Sequence, residues 1–230
     1  MNIFIDIETI PAQDPTVKQA IADGITAPGQ YKKAESIKEW LDVNRESAAE
    51  EEWRKTSFDG GFGHVCCISV AVNDGEVKTF VSPDWPNAEK HILADFFQFL
   101  HENYDPSRQT PPVFIGHNVA DFDLRFLFQR AVVLGVRPPH FLPVGAKSWD
   151  KSLFDTMTEW AGYKGRVKLD KLCRVLGLDL KGSDIGEDID GSKVWDFVRD
   201  GKIDLVAKYC AGDVERVRHI FNRMNFTDAA

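Results

Sequence analysis

The sequence has 230 residues, a length that suits a single domain over residues 1–230, with room for an insertion. No apolar run reaches the roughly 18 residues of a transmembrane helix, and the N-terminus lacks the basic segment of a secretory signal, so we expect a cytoplasmic protein with reduced cysteines and no membrane partner. The formal net charge of −8 argues against a nucleic-acid partner only at first sight, because cations bound to carboxylates reverse the local field.

The predicted elements follow the order strand, insertion, hairpin, helix, strand and further helices. An apolar strand occupies residues 2–8, and a charged, partly helical insertion fills about residues 10–62. Residues 65–72 and 76–81 form a hairpin around the turn signal Asn73-Asp74-Gly75. The remaining elements are a strand over 113–116 and helices over 88–101, 122–135, 168–176, 192–199 and 203–224. This order predicts an α/β fold with an antiparallel start and parallel additions.

Two acids stand in the first predicted strand. Because side chains alternate across a strand, Asp6 and Glu8 project from one face, while Ile5 and Ile7 project from the other. Neighbouring carboxylates repel each other, and a divalent cation that prefers carboxylate oxygen removes that repulsion. An edge strand with a polar face has the same pattern, so both interpretations stay open at this point.

A second pair of acids follows the strand over 113–116, at the predicted start of a helix. Functional sites of open α/β sheets form at such strand ends. We predict that Asp121 caps the helix and that Asp123, in the first turn, points toward a site. Asp123 equally fits a charge that stabilises the N-terminus of the helix.

A third candidate lies in the last predicted helix. Tyr209 and Asp213 are four residues apart and therefore share one helix face. Asp213 falls on or beside the buried stripe that contains Val206, Cys210 and Val217, where an uncompensated carboxylate is costly. The sequence allows two compensations, which are a hydrogen bond from Tyr209 inside the core and a bound metal ion.

Three spaced motifs together resemble the exonuclease motifs of the DEDD superfamily, and the tyrosine of the third is typical of its DEDDy branch. The motifs read Asp6-x-Glu8, Asn118-x-x-x-Phe122-Asp123 and Tyr209-x-x-x-Asp213. The sequence is similar to the proofreading exonuclease domain of family-B DNA polymerases and to free-standing prokaryotic and phage relatives. The resemblance implies a ribonuclease-H-like fold, with helices flanking a mixed sheet, and a 3′→5′ exonuclease that removes nucleotides from the 3′ end of DNA, single strands being favoured.

The resemblance also implies a mechanism with two divalent cations, Mg²⁺ or Mn²⁺, about 4 Å apart. By resemblance, Asp6 is expected to bridge both ions. Glu8 and Asp213 are expected to complete the site of the ion that activates water. Asp123 is expected to hold the second ion through its water shell. Tyr209 is expected to orient the attacking water, because a phenol stays protonated at neutral pH and is a poor general base.

Further candidates concern substrate binding and local structure. Residues 160–168 combine cations that can hold phosphates with rings that can stack on bases, although an ordinary basic loop has the same composition. His117 and Asp155 are predicted to be structural, Asp155 as the cap of a short helix. The candidate substrate-binding residues are Thr9, Asn118, Phe122, Tyr163, Lys164 and Arg166.

Three other functions stay open. An exoribonuclease uses the same metal chemistry, and no residue of the sequence distinguishes the two sugars. A nucleic-acid-binding module without catalysis fits less well, because acids occupy all four positions. A partner protein in a replication or repair assembly would explain the charged insertion but not the acids. The insertion itself fits a lid over the 3′ end or a solvated cap, and its mixed charges favour the cap.

Overall fold

The protein, represented by a computed structural model, is described over residues 1–107, 109–147, 149–162, 164–178, 187 and 189–227. The strands of this part of the chain are β1 (Asn2–Ile10), β2 (His64–Val72), β3 (Lys78–Val81), β4 (Val113–Gly116) and β5 (Leu153–Asp155). The first four helices are α1 (Pro15–Gly24), α2 (Ala34–Lys55), α3 (Trp85–Asn103) and α4 (Asp123–Leu134). The others are α5 (Thr156–Ala161), α6 (Leu169–Leu176), α7 (Val194–Arg199) and α8 (Ile203–Met224). Among these helices, none is long and apolar enough to cross a membrane.

The strands form one mixed sheet in the order β3-β2-β1-β4-β5. β2 runs antiparallel to both β1 and β3, whereas β4 is parallel to both β1 and β5. The predicted α/β fold, with an antiparallel start and parallel additions, is therefore confirmed. Two elements were not predicted, namely the three-residue strand β5 and the helix α1, which buries none of its residues.

The two faces of β1 serve different purposes. Ile3, Ile5 and Ile7 enter the hydrophobic cluster that α3 and α4 complete. Phe4 and Ile10 point to the opposite face, where they meet buried residues of α8. The helix α8 therefore lies along the face of β1 that carries its acidic side chains, as the alternation along the strand predicts.

The insertion is anchored to α7 and to the segment after β1 by residues at the C-terminal end of α2. The Trp53 indole donates a hydrogen bond to the Ala12 carbonyl at 2.8 Å, and its ring packs edge-on against Trp195 at 5.4 Å between centroids. Arg54 binds the Asp196 carboxylate of α7 through both terminal nitrogens, at 3.1 and 2.8 Å. These contacts favour a cap over a mobile lid, because they tie α2 to α7 and to the segment directly after β1.

A buried ion pair joins the helices on the other face of the sheet. Arg130 of α4 donates to both oxygens of Glu89 in α3, at 2.7 and 2.6 Å, and to the Gly60 carbonyl at 3.2 Å. The same carboxylate accepts the Val65 N–H of β2 at 2.8 Å and lies 3.4 Å from Nδ1 of His64. Two helices and a strand thus share one charged centre.

Candidate active site

Three carboxylates converge between β1 and α8. One oxygen from each of Asp6, Glu8 and Asp213 lies within 4.8 Å of the others. Glu8 and Asp213 are buried and Asp6 is half-buried. The prediction that Asp6 and Glu8 share a face is confirmed. A donor set made only of carboxylate oxygens fits a hard divalent cation such as Mg²⁺ or Mn²⁺, which also offsets the mutual repulsion of the three acids.

The strand changes register directly after the two acids. Glu8 stands opposite Cys67 in the β1–β2 ladder, but Thr9 stands opposite Val65, so Cys66 has no counterpart in β1. The Cys66 thiol donates to the Glu8 carbonyl at 3.3 Å. Bulges of this kind concentrate beside active sites, where they redirect a strand. Here the bulge ends the regular part of β1 in which alternation places Asp6 and Glu8 on one face.

Buried cysteine thiols donate hydrogen bonds to the backbone of this part of β1. Cys210 of α8 donates to the Asp6 carbonyl at 3.3 Å. Burial raises the pKa of both the Cys66 and Cys210 thiols, so both stay protonated at neutral pH. They therefore act as hydrogen-bond donors to the backbone and not as thiolate ligands. All four cysteines are reduced and buried, as predicted.

The Asp213 carboxylate has a partner that sequence reasoning missed. Nη1 of Arg216 donates to Asp213 Oδ1 at 3.2 Å, and both side chains are buried. The guanidinium lies against Gly212, where an added Cβ would come within 2.5 Å of Nη1. Part of the compensation that Asp213 requires therefore comes from a cation three residues further along the same helix. The i,i+3 spacing was the available signal.

Asp123 approaches the carboxylate group from α4. It is the first residue of that helix, it is buried, and its Oδ1 accepts the Ile7 N–H at 3.2 Å. Asp123 thus touches β1 between Asp6 and Glu8, beyond the point at which the ladder between β1 and β4 ends. The group of three carboxylates within 4.8 Å does not include it.

The prediction that Asp121 caps this helix is wrong. The capping position is occupied by Phe122, which offers no side-chain cap, and Asp121 is exposed. The helix begins at Asp123, one residue later than predicted, so Asp121 stands one position before the capping residue. From that position the short aspartate side chain does not reach the free N–H groups of the first turn.

Asp155 organises the loop that precedes α4. Its carboxylate accepts the N–H groups of Asn118 at 2.9 Å and Ala120 at 3.3 Å, and it caps α5 by accepting the Met157 N–H at 3.0 Å. Asn118 adopts a left-handed conformation, with φ of 65°. Its Oδ1 is buried and accepts no hydrogen bond within the described part of the chain. The predicted capping role of Asp155 is confirmed, and Asn118 is held by its backbone.

His117 is structural, as predicted. Nδ1 lies 3.0 Å from the Thr156 hydroxyl, and Nε2 lies 2.9 Å from the Val167 carbonyl. With both ring nitrogens occupied, His117 connects the end of β4 to the segment before α6.

The other residues of the motifs surround the carboxylates. Tyr209 lies on α8 one turn before Asp213 and is buried. The Thr9 hydroxyl donates to the Ser57 carbonyl at 2.7 Å and so connects β1 to the insertion. The Phe122 ring lies 6.3 Å from the ring of Phe58, which is 70% exposed. The insertion therefore contributes an exposed ring beside the start of α4.

Side chains of the basic stretch over residues 160–168 line two different clefts. Lys164 and Arg166 line a cleft of about 420 Å³ next to the loop before α4. Trp160 lines a different groove with Met224. Tyr163 lies outside the described residues. The predicted grouping of cations and rings is thus only partly observed.

Comparison with known proteins places these features in a family. A family model described as a predicted 3′–5′ exonuclease related to the exonuclease domain of PolB matches residues 61–230, which include Asp123 and Asp213 but not β1. No curated protein matches the chain.

The fold is similar to that of the family B DNA polymerase from the hyperthermophilic archaeon Pyrobaculum calidifontis, with a TM-score of 0.58 and 17% sequence identity. The alignment covers 97% of this chain but 24% of the polymerase, so the chain spans about a quarter of that protein's length. The match confirms the predicted fold, a helix-flanked mixed sheet of the ribonuclease-H-like type. By its sequence, the chain belongs to the family of predicted 3′–5′ exonucleases related to the exonuclease domain of PolB.

Proposed function

We propose that the protein is a 3′→5′ exonuclease that removes nucleotides from the 3′ end of DNA, with single strands as its preferred substrate. The observation that carries this proposal is the convergence of Asp6, Glu8 and Asp213 within 4.8 Å of one another, in a chain of a predicted exonuclease family. Buried carboxylates on two separate elements have no structural need to converge, and their repulsion disfavours it unless a cation is bound.

Asp6, Glu8 and Asp213 would hold two divalent cations, Mg²⁺ or Mn²⁺. When bound, such a pair supplies Lewis acidity to the phosphodiester and lowers the pKa of water. In this proposal Asp6, Glu8 and Asp213 would hold these cations through their carboxylate oxygens. Asp123 would add a fourth carboxylate, and it lies beside the group of three and not inside it.

The remaining residues of the site position these ligands. Asp123 fixes the β1 backbone through the Ile7 N–H, so the two acids on either side of Ile7 keep their spacing. Arg216 holds one oxygen of Asp213 and thereby sets the direction of the carboxylate. Tyr209 is proposed to orient the attacking water through its hydroxyl, since a protonated phenol donates and accepts but does not serve as a base.

The preference for DNA rests on the motifs and on the polymerase whose fold this chain resembles. The chemistry of the carboxylates does not depend on the sugar, and discrimination would require a contact to the 2′-hydroxyl. RNA therefore belongs in the same experiment as DNA.

The test uses oligonucleotides labelled at the 5′ end, incubated with Mn²⁺ or Mg²⁺. The substrates are single- and double-stranded DNA and single-stranded RNA, each with a free or a blocked 3′ end. We expect a ladder of products shortened from free 3′ ends, fastest on single-stranded DNA, and no ladder from the Asp213→Asn variant. Internal cuts in the blocked substrates would overturn the polarity, and faster shortening of RNA would replace the assigned substrate.

A further inference from the structure

A second charged feature lies next to the loop before α4, and we call it the basic cleft. It is lined by Arg125 of α4 and by Lys147, Trp149, Lys164 and Arg166 from the segments before and after β5 and α5. These residues are far apart in the sequence, and the fold brings four cations to one cleft in a chain whose net charge is −8. Such a local concentration of positive charge creates an attractive field for an anionic ligand.

Three of the four cations that line the basic cleft form no ion pair with a carboxylate within the described residues. They are Arg125, Lys147 and Arg166. The buried acid that also lines the cleft, Asp155, directs both of its oxygens to backbone N–H groups. By contrast, Arg54, Arg130 and other arginines of the chain are paired with acids. Arg125, Lys147 and Arg166 therefore present two guanidinium groups and one ammonium group to the cleft without a carboxylate partner in the described part of the chain.

An aromatic ring stands among these cations. Trp149 is 65% exposed, although indole rings are usually largely buried. Exposed aromatic rings that alternate with cations are the means by which proteins hold single-stranded nucleic acids, since bases stack on rings and phosphates meet the cations. The volume of about 420 Å³ is that of a site for one small organic group, which suits a nucleotide and is too small for a duplex.

The basic cleft adjoins the start of α4, the helix that carries Asp123. Ala120 and Asp121, in the loop before α4, line the cleft, and Asp123 begins the helix that touches β1. Arg125 is two residues beyond Asp123. A strand whose 3′ end lies at the carboxylates would pass over the start of α4 to reach the cleft.

We propose that the basic cleft binds the single-stranded DNA on the 5′ side of the terminal nucleotide, with Arg125, Lys147 and Arg166 holding phosphates and Trp149 stacking on a base. This inference rests on the proposed function and extends it, because it makes affinity depend on the length of the strand behind the cleaved end. A dinucleotide extends only one nucleotide beyond the cleaved end, whereas a longer strand occupies the whole cleft.

The test compares KM and kcat for DNA strands of two and twelve nucleotides. The double variant Lys147→Gln/Arg166→Gln should raise KM for the longer strand about tenfold and lower the slope of log KM against log salt by about 1.4, with a smaller change for the dinucleotide. The matched control Lys32→Gln/Lys38→Gln removes the same charge from exposed lysines before and within α2. Trp149→Ala should also raise KM for the longer strand, and Trp160→Ala, in the other groove, should not.

Direct binding separates this inference from the proposed function. Fluorescence anisotropy with a labelled twelve-nucleotide DNA in chelator needs no catalysis, and we expect weaker binding by the cleft variant than by the wild type and the control. Equal affinity and equal salt dependence in all three proteins would overturn the inference, whatever the activity. Tighter binding of an RNA strand of the same sequence would overturn the assignment of the cleft to DNA. Binding without nucleotide release would overturn the proposed function alone.

Discussion

Replacement of Arg130 by methionine would leave the Glu89 carboxylate buried between α3, α4 and β2 without its countercharge. The side chains of Glu89 and Arg130 are 6% and 3% exposed, and the guanidinium makes three hydrogen bonds, two to Glu89 and one to Gly60. Removal of one partner of such a buried pair costs about 3–5 kcal/mol. This loss is a large part of a typical free energy of unfolding of about 5–15 kcal/mol.

Urea unfolding, followed by circular dichroism, measures this loss directly. With an m-value of about 3 kcal/mol/M, the midpoint should fall by about 1–1.7 M in Arg130→Met. The control Arg199→Met removes the same group from α7, where the side chain is 51% exposed and bridges Asp196 at 3.1 Å and Asp200 at 3.0 Å. That control should lose less than about 1 kcal/mol. Equal small losses in the two variants would refute the reasoning from burial.

Three further predictions concern His64, Gly212 and Tyr209. Burial lowers the pKa of His64, next to Glu89 and Arg130, below that of the unfolded chain, so stability should fall as the pH decreases through the ordinary histidine range. Unfolding free energies at pH 7.5 and 5.5 should differ less in His64→Gln than in the wild type, and an unchanged difference would contradict this. Gly212→Ala places a Cβ 2.5 Å from the Arg216 guanidinium that holds Asp213, so kcat for nucleotide release should fall about 10- to 100-fold. A wild-type rate would contradict the role of Arg216 in positioning Asp213. Tyr209→Phe should lower kcat less than Asp213→Asn does, and the reverse order would exclude the orienting role of the phenol.

Elements with a long buried face were predictable from the sequence. β1 and α8 are regular along most of their length, so the periods of two and 3.6 residues place Asp6, Glu8 and Asp213 on the faces that meet. β5 has three residues, too few for an alternation to be recognised. α1 is short, and its apolar residues Val17, Ala20 and Ile21 do not enter the buried core. Long elements with a buried face are therefore predicted more readily from local patterns than short elements at the surface.

In the candidate site, too, some residues were predictable from the sequence and others were not. Its carboxylates were predictable because each belongs to a regular element, whereas the role of Asp121 depended on the exact first residue of a helix, the least certain feature of any pattern. Arg216 is recognised as a partner of Asp213 only after the buried face of α8 is known. The basic cleft combines side chains such as Arg125 and Trp149 from segments that approach only in the folded chain.

The central claim is that Asp6, Glu8 and Asp213 form one site for divalent cations. Calorimetric titration of the protein with Mn²⁺, without nucleic acid, tests it most directly. We expect measurable binding by the wild type, loss of most of that binding in Asp6→Asn, and wild-type binding in Asp42→Asn, which changes an exposed acid of α2. Binding of Mn²⁺ by Asp6→Asn with wild-type affinity and stoichiometry would contradict the account.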